Sequence, residues 1–250
     1  MKKKLYTREE FEEFRQDAAL RMVTDGELCK ESLKLLNRAD SYHWIHQTTW
    51  FGQPVLNLAQ DMFAIQEIIF ETRPKYVIEV GVAWGGALLF YSTLMGALGG
   101  EKIIGIDTYI PEDLNRRLSA YGKLSERIVL INDSSVDKST IQQVKGIIGN
   151  CREVMVILDS HHTHYHVLQE LCIYSEFVGK GYYLVCSDTI IEYLPEEQIH
   201  RPRPWGHGNN PATALDFFLK QDDCFEVDSK LESKLLLSCH PGGYLKRHRD

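Results

Sequence analysis

The 250-residue sequence lacks several features that would assign it to a particular class of protein. Its six cysteines include no C-x-x-C pair, and several lie in apolar runs, so reduced, buried thiols are the simplest interpretation. No stretch reaches the length of a membrane-spanning helix, and we find no internal repeat or low-complexity segment. We therefore expect an ordinary globular protein with no membrane partner.

An excess of positive charge is also missing. The net charge of −7 argues against binding to a nucleic-acid backbone, so no nucleic-acid partner is expected. The first residues are basic, but no apolar core follows them, so we expect no signal peptide and a cytoplasmic protein. The composition, 44% hydrophobic and 25% charged, is typical of soluble globular proteins.

The dinucleotide fingerprint G-x-G-x-x-G is absent, but a different glycine turn follows an apolar run. The β-branched run Tyr76–Val80 predicts a short buried strand. Gly81 permits a sharp turn, and Gly85 and Gly86 allow a backbone or a ligand to come close because they have no Cβ. Residues 87–95 then predict an apolar helix. Strand, glycine turn and helix form the opening of a nucleotide-type site, with free amide N–H groups at the helix start.

An acid at the end of this strand narrows the choice of ligand. Glu79 would repel a pyrophosphate but could hold a cation, such as the amino group of an amino-acid cofactor. The pattern Glu79-x-Gly81-x-x-x-Gly85-Gly86 resembles the first motif of the class I methyltransferases that use S-adenosylmethionine (SAM). Plain packing of a strand against a helix is the alternative interpretation.

Acids also end the later strands predicted along the chain. Asp107 ends a strand at the spacing at which a carboxylate meets the two hydroxyls of a ribose, and a cap of the following loop is the alternative. Asp133 and Ser134 follow the next strand and could touch an adenine edge or cap the helix over residues 138–149. Strands over residues 153–159 and 181–188 end in Asp159 and Asp188.

Strands that alternate with helices predict an α/β protein with a parallel sheet. Ligands of such sheets bind outside the carboxyl ends of the strands, where Glu79, Asp107, Asp133 and Asp159 would gather.

The stretch Asp159-Ser-His-His-Thr-His-Tyr-His166 is rich in histidine. Three interpretations stay open: a zinc site, solvated histidines at a helix start, or one catalytic histidine beside Asp159. Asp159 and Asp188 would lie at the tips of neighbouring strands, and two carboxylates in such a place suit Mg²⁺.

The flanking segments are less regular. Residues 7–40 predict an amphipathic helical region that begins with a capping box at Thr7 and Glu10, and it could cover the core or form an oligomer contact. The aromatic segment 42–54 predicts either a packed loop or a lid, and the irregular segment 193–210 predicts a lid or a disordered loop. We divide the chain into an N-terminal helical and aromatic segment, residues 1–60, and a catalytic domain, residues 61–250.

A family resemblance becomes specific when the motifs are taken together. They are Trp50-Phe-Gly52, Gln66-Glu67, Arg73 to Gly81, Gly85-Gly86, Gly105-Ile-Asp107, Leu158 to His162, His166-Val-Leu and Gly181 to Val185. This set resembles the cephalosporin hydroxylase family, whose members are similar to class I SAM-dependent, metal-dependent O-methyltransferases, including macrolide and rhamnosyl sugar methyltransferases. The resemblance implies a Rossmann-like, seven-stranded sheet whose last strand is antiparallel. Residues 224–228 and 234–239 predict the closing hairpin.

The resemblance also implies roles for site residues. Asp159 would be the first metal ligand and His162 the general base, since the family's D-S-x-H pattern matches here. Relatives complete the metal site with an adjacent Glu-Asp pair, which in this chain is Ser187 and Asp188. Because serine is a neutral and weak ligand, Mg²⁺ affinity should fall. Glu79 would hold the cofactor's amino end.

These observations predict a SAM-dependent O-methyltransferase. Its acceptor would be a hydroxyl of a sugar, a glycoconjugate or a secondary metabolite, and a homo-oligomer is expected. Two alternatives stay open: a nucleotide-sugar or NAD-dependent oxidoreductase on a similar fold, and a SAM-binding scaffold that no longer catalyses, which the presence of Ser187 would favour.

Overall fold

A computed structural model of the protein describes residues 6–195 and 202–250. The strands are β1 Thr49–Trp50, β2 Gln53–Pro54, β3 Tyr76–Val80, β4 Lys102–Asp107, β5 Ile128–Asn132, β6 Val154–Leu158, β7 Tyr183–Cys186, β8 Phe225–Val227 and β9 Tyr244–Arg247. The α-helices are α1 Arg8–Thr24, α2 Gly26–Asp40, α3 Ala59–Thr72, α4 Gly86–Leu98, α5 Leu114–Ser119, α6 Lys138–Ile148, α7 His164–Tyr174, α8 Pro211–Leu219 and α9 Ser229–Glu232.

Seven of these strands form one sheet in the order β5-β4-β3-β6-β7-β9-β8. Strands β3 to β7 pair in parallel, and β9 lies antiparallel between β7 and β8. The predicted seven-stranded α/β sheet with an antiparallel last strand is therefore confirmed. Strands β1 and β2 form a separate two-stranded hairpin.

The sheet is covered by helices on both faces, which explains why its central strands are apolar throughout. Every residue of β3, β6 and β7 is buried. Ile78 and its neighbours of the same face pack with α6, α7 and α8, whereas Val77 lies on the other face with α3 and α4. Alternating residues of one strand thus serve two separate cores.

The N-terminal helical region is two helices rather than one. The predicted capping box is present, because Thr7 Oγ1 accepts the N–H of Glu10 and the Glu10 carboxylate accepts the N–H of Thr7. Asp25 interrupts the helix, and its side chain accepts the N–H groups of Glu27 and Leu28 to begin α2. No residue of helix α1 is fully buried among the residues that the structure describes.

The prediction of a strand over residues 234–239 is wrong, and the pairing strand is β9, Tyr244–Arg247. The buried carboxylate of Asp61 explains the difference. It accepts the hydroxyl of Ser238 at 2.6 Å and the N–H of Cys239 at 2.8 Å, so the segment before β9 bonds to α3. A side-chain acceptor from a distant helix is not visible in the local pattern of apolar residues.

Three smaller predictions can be compared with the structure. Cys186 and Cys239 are buried, whereas Cys172 is exposed and the other three cysteines are half-buried; none forms a disulfide. Residues 6–195 and 202–250 contain no helix long and apolar enough to cross a membrane. The predicted lid over residues 193–210 lies partly outside the described residues, which resume at Pro202.

Candidate active site

The acidic strand ends meet because the hydrogen-bond ladder of the sheet continues past the last strand residues. Gly81 donates its N–H to Ile106 at 2.8 Å, and Asp159 donates its N–H to Val80 at 2.7 Å. Ser187 donates its N–H to Leu158 at 2.9 Å. These bonds align the loops after β3, β4, β6 and β7 along one edge of the sheet.

The loops after β6 and β7 bring together Asp159, His162 and Asp188. Each offers one ligand atom, and these three atoms all lie within 4.8 Å of one another. His162 Nε2 is 3.3 Å from Asp188 Oδ2. Asp188 has a left-handed backbone (φ 56°), and its N–H donates to His240 Nδ1 at 3.1 Å. The buried His240 therefore helps to hold this carboxylate at the site.

The electrostatics of this cluster follow from burial and from like charge. Burial, and after it the nearby Asp188, raises the pKa of Asp159 well above its ordinary value. Burial lowers the pKa of His162, although Asp188 acts in the opposite direction. His162 is therefore a neutral imidazole at pH 7 and able to accept a proton. A cation between the carboxylates would relieve their repulsion.

Ser187, the residue before Asp188, is buried at 0% exposure. Its hydroxyl has no hydrogen-bond partner within the described part of the chain. The carboxylates of Asp159 and Asp188, beside the imidazole of His162, fit a divalent cation that would take water or substrate oxygen at its other positions.

The remaining histidines of this stretch have other partners. The His161 ring contacts Thr163, the His164 ring contacts Thr213, and the His166 ring contacts Glu170. Among the described residues only His162 of the four joins a group with metal-ligand geometry. The structure therefore gives no support to the zinc interpretation.

Trp205 forms an aromatic wall at the site. Its ring lies edge-on to the rings of His161 and His162, with centroids 5.3 and 4.9 Å away. The sequence placed this tryptophan in the irregular segment but gave no reason to pair it with His162.

A buried glutamate, Glu170 in α7, was missed by the sequence reasoning. It accepts the hydroxyls of Ser160 at 2.7 Å and Ser135 at 2.5 Å, and His166 Nε2 lies 3.0 Å from the same oxygen. This carboxylate, mainly through its hydrogen bond, raises the pKa of His166. Glu170 thereby joins the loop after β5 to the loop after β6. Its spacing of four residues from His166 in a helix was the available signal.

Glu79 lies beneath the glycine turn and is buried. One carboxylate oxygen accepts the hydroxyl of Tyr91 at 2.9 Å, and the other has no hydrogen-bond partner among the residues described. Burial raises the pKa of Glu79 to about 8. The free oxygen is a ready acceptor for a cationic group.

Asp107 and Asp133 are both bonded to nearby loops. Asp107 Oδ2 accepts the N–H groups of Val82 and Ala83, and Oδ1 accepts that of Tyr109. Asp133 accepts the N–H of Ser134 and the hydroxyl of Ser139.

The glycines of the turn serve close packing inside the protein. Gly81 has φ 100°, and a Cβ added there would lie 2.0 Å from the carbonyl oxygen of Asp159. A Cβ on Gly85 would lie 3.1 Å from Leu114, and one on Gly86 would lie 2.2 Å from the carbonyl oxygen of Pro54. Before the helix start, the N–H groups of Val82 and Ala83 are occupied, since both donate to Asp107.

Two solved structures share this fold. The apo structure of CmcI-N160 aligns with a TM-score of 0.57 at 18% identity, covering 82% of this chain and 78% of that one. The Mg-SAM structure of CmcI-D160 aligns with a TM-score of 0.53 at 20% identity, with the same coverage. Fold and sheet order are those of a class I methyltransferase.

Sequence comparison then gives the family. Residues 42–248 match the model of the family described as Rhamnosyl O-methyltransferase/CmcI. The chain belongs to this family and is a SAM-dependent O-methyltransferase, as the motifs predicted. The oxidoreductase alternative is thereby set aside.

The curated relatives carry a more particular name. The rhamnosyl O-methyltransferase of Mycobacterium tuberculosis (strain ATCC 25618 / H37Rv) is 26% identical over 220 residues, which cover 84% of this chain and 85% of the relative. That of Mycobacterium leprae (strain TN) is 27% identical over 219 residues, which cover 84% and 90%.

Proposed function

We propose that this methyltransferase acts on a hydroxyl group of a sugar, carried free, on a glycoconjugate or on a secondary metabolite. The observation that carries the proposal is the cluster of Asp159, His162 and Asp188, beside which Trp205 offers an aromatic face. Aromatic faces pack well against sugar rings. The names of the curated relatives support the same acceptor class.

In this proposal His162 is the general base. A neutral alcohol is a poor nucleophile, so its proton must leave as it attacks the methyl group that bound SAM supplies. The neutral imidazole of His162 accepts that proton, and Asp188, 3.3 Å away, then stabilises the imidazolium. The buried position of His162 against Trp205 keeps water from competing for it.

Asp159 and Asp188 are the proposed ligands of a divalent cation. Such a cation would lower the pKa of the acceptor hydroxyl. The donor set fits Mg²⁺, with weakened affinity because Ser187 brings no charge. Ser187 is buried and neutral, so Asp159 and Asp188 are the two negatively charged ligands in this proposal.

The proposed cofactor residues line the neighbouring loops. The unpartnered oxygen of Glu79 fits the ammonium group of SAM, and Asp107 keeps acceptor capacity for the ribose hydroxyls. Asp133 and Ser134 would lie near the adenine. Gly81 and Gly85 would act by holding the turn against the loop of Asp159 and against α5.

A transfer assay tests the proposal. SAM with a labelled methyl group is incubated with rhamnosides, other glycosides and simple phenols, with Mg²⁺ or with EDTA. Labelled methyl ethers of glycosides are expected, in larger yield with Mg²⁺. Transfer to phenols alone would contradict the sugar assignment. SAM binding without transfer to any acceptor would instead favour the scaffold alternative.

We also propose that the protein assembles from copies of itself. Tyr6, just before α1, forms an exposed aromatic cluster with Phe11 and Phe14 of that helix, and Tyr6 and Phe14 are stacked at 5.6 Å. Light scattering of the intact chain would report its mass, and a monomer at all concentrations would refute this.

A further inference from the structure

The acidic edge of the sheet poses a problem for one end of the proposed cofactor, and the inference that follows rests on the proposed SAM site. SAM carries an α-carboxylate beside its ammonium group. Five carboxylates lie along the edge where it would bind: Glu79, Asp107, Asp133, Asp159 and Asp188. A further carboxylate among these acids needs a positively charged or N–H donor of its own.

Part of the backbone of the glycine turn is already hydrogen-bonded within the protein. Gly81 donates its N–H to the carbonyl of Ile106, and Gly85 donates to that of Val82. Val82 and Ala83 both donate to Asp107 Oδ2, at 2.8 and 3.3 Å. Four N–H groups of the turn therefore already have acceptors inside the protein.

A cation lies next to this turn on α5. Helix α5 packs on the turn, since Leu114 and Leu118 lie 3.1 and 3.3 Å from the position of a Cβ on Gly85. From the same helix, the guanidinium carbon of Arg117 lies 5.7 Å from the ring centroid of Trp84, a half-exposed residue of the turn.

The guanidinium of Arg117 is held on two sides and free on the third. Its Nε donates to Asp113 at 2.9 Å, and its Nη1 donates to Gln53 Oε1 at 2.9 Å. Nη2 is buried and has no hydrogen-bond partner in the part of the chain that the structure describes. A buried donor without an acceptor is costly, and a charged acceptor satisfies it best.

We infer that Arg117 Nη2 binds the α-carboxylate of SAM. Asp113 and Gln53 fix the plane of the guanidinium, and the Trp84 ring covers it. In this arrangement Glu79 on one side and Arg117 on the other take the two charged groups of the cofactor's amino-acid end.

The test pairs two ligands with three proteins. SAM and decarboxylated SAM differ at this end only in the carboxylate, so the ratio of their dissociation constants isolates its contribution. The ratio is measured by calorimetry for the wild type, for R117Q and for R116Q, a matched variant of the exposed neighbour on the same helix. Circular dichroism checks that each variant is folded.

The wild type and R116Q are expected to prefer SAM by about 10-fold to 100-fold, the range for a hydrogen bond between charged groups. R117Q is expected to bind both ligands within about 2-fold of each other. A wild type without preference, or an R117Q protein that keeps it, overturns the inference, and so does an equal loss in R116Q.

The wild-type arm needs no folded variant, so misfolding of R117Q leaves the inference open to refutation. Wild-type protein that binds neither ligand refutes the proposed cofactor site itself, and the inference with it. Binding of SAM with no carboxylate preference refutes the Arg117 role alone.

Discussion

The two halves of the carboxyl edge use their acids differently. On the side of β3 and β4, Asp107 accepts three backbone N–H groups and so holds the glycine turn in shape. On the side of β6 and β7, Asp159 and Asp188 lie beside each other and an imidazole, and burial, followed by the nearby Asp188, raises the pKa of Asp159. An acid bonded to the backbone is a structural support, whereas two facing acids mark a place for a cation.

Of the changes considered for the two halves of the edge, removal of the proposed base, His162, should have the largest effect, and it should act on kcat. His162→Ala is expected to lower kcat about 10²-fold to 10⁴-fold with little change in SAM affinity, because the base acts only in proton transfer. His164→Ala is the matched control, since the His164 ring contacts Thr213 instead of the acids. Steady-state kinetics on an identified acceptor measures both, and equal losses would refute the assignment of His162.

Glu79, at the end of β3, should make the free energy of unfolding depend on pH. Its pKa is about 8 in the folded protein against an ordinary value of 4.5, so the folded state keeps a proton that the unfolded state loses. Its stabilisation is complete below pH 4.5 and is lost as the pH rises to about 8. At 1.36 kcal/mol for each pKa unit between 4.5 and about 8, the loss is about 5 kcal/mol.

Glu79→Gln should remove this pH dependence. Urea unfolding at pH 5, 7 and 9 is expected to show the variant gaining stability relative to the wild type as the pH rises. Glu112→Gln, at an exposed position, provides the control. A difference between Glu79→Gln and wild type that stays constant with pH would contradict the burial argument.

Gly81 joins the two sides, so Gly81→Ala should disturb both. The new Cβ would lie 2.0 Å from the Asp159 carbonyl oxygen, and φ is 100°. We expect a loss of about 3 kcal/mol in the free energy of unfolding from the clash and the strained backbone. Gly146→Ala, where nothing lies within 4 Å, should be neutral or stabilising. Equal unfolding midpoints for both variants would exclude the close contact.

Addition of Mg²⁺, which would bind on the side of β6 and β7, should give the smallest of these effects on the stability of the protein. At 100 times the dissociation constant, Mg²⁺ would add about 2.7 kcal/mol. Thermal unfolding in EDTA and in excess Mg²⁺ is expected to show a higher Tm with metal for the wild type and for Asp133→Asn. Asp188→Asn should lose the increase. An unchanged increase in Asp188→Asn would show that the metal binds elsewhere.

Local sequence was enough to predict the five parallel strands and the edge where their acids meet. Each of those strands is an apolar run bounded by turn residues, and parallel pairing then places their ends together. The partners of those acids depend on residues far along the chain. Asp107 bonds to Val82, and Glu170 bonds to Ser135, neither of which a strand pattern can reveal.

The wrong strand shows the same limit. Residues 234–239 have the apolar character of a strand, but Asp61 from α3 takes the hydrogen bonds of Ser238 and Cys239. Strand β9, in contrast, is short and half basic, and it is a strand because β7 and β8 flank it. Tertiary context decided both segments.

The position of β9 has a consequence for how the protein is made. β9 lies between β7 and β8, although it is the last of the seven strands to leave the ribosome. Until residues 244–247 have been synthesised, β7 has an unpaired edge and β8 has no neighbour in the sheet. A nascent chain therefore carries an open strand edge, which is a site for aggregation and a reason for chaperone protection, until β9 has been made.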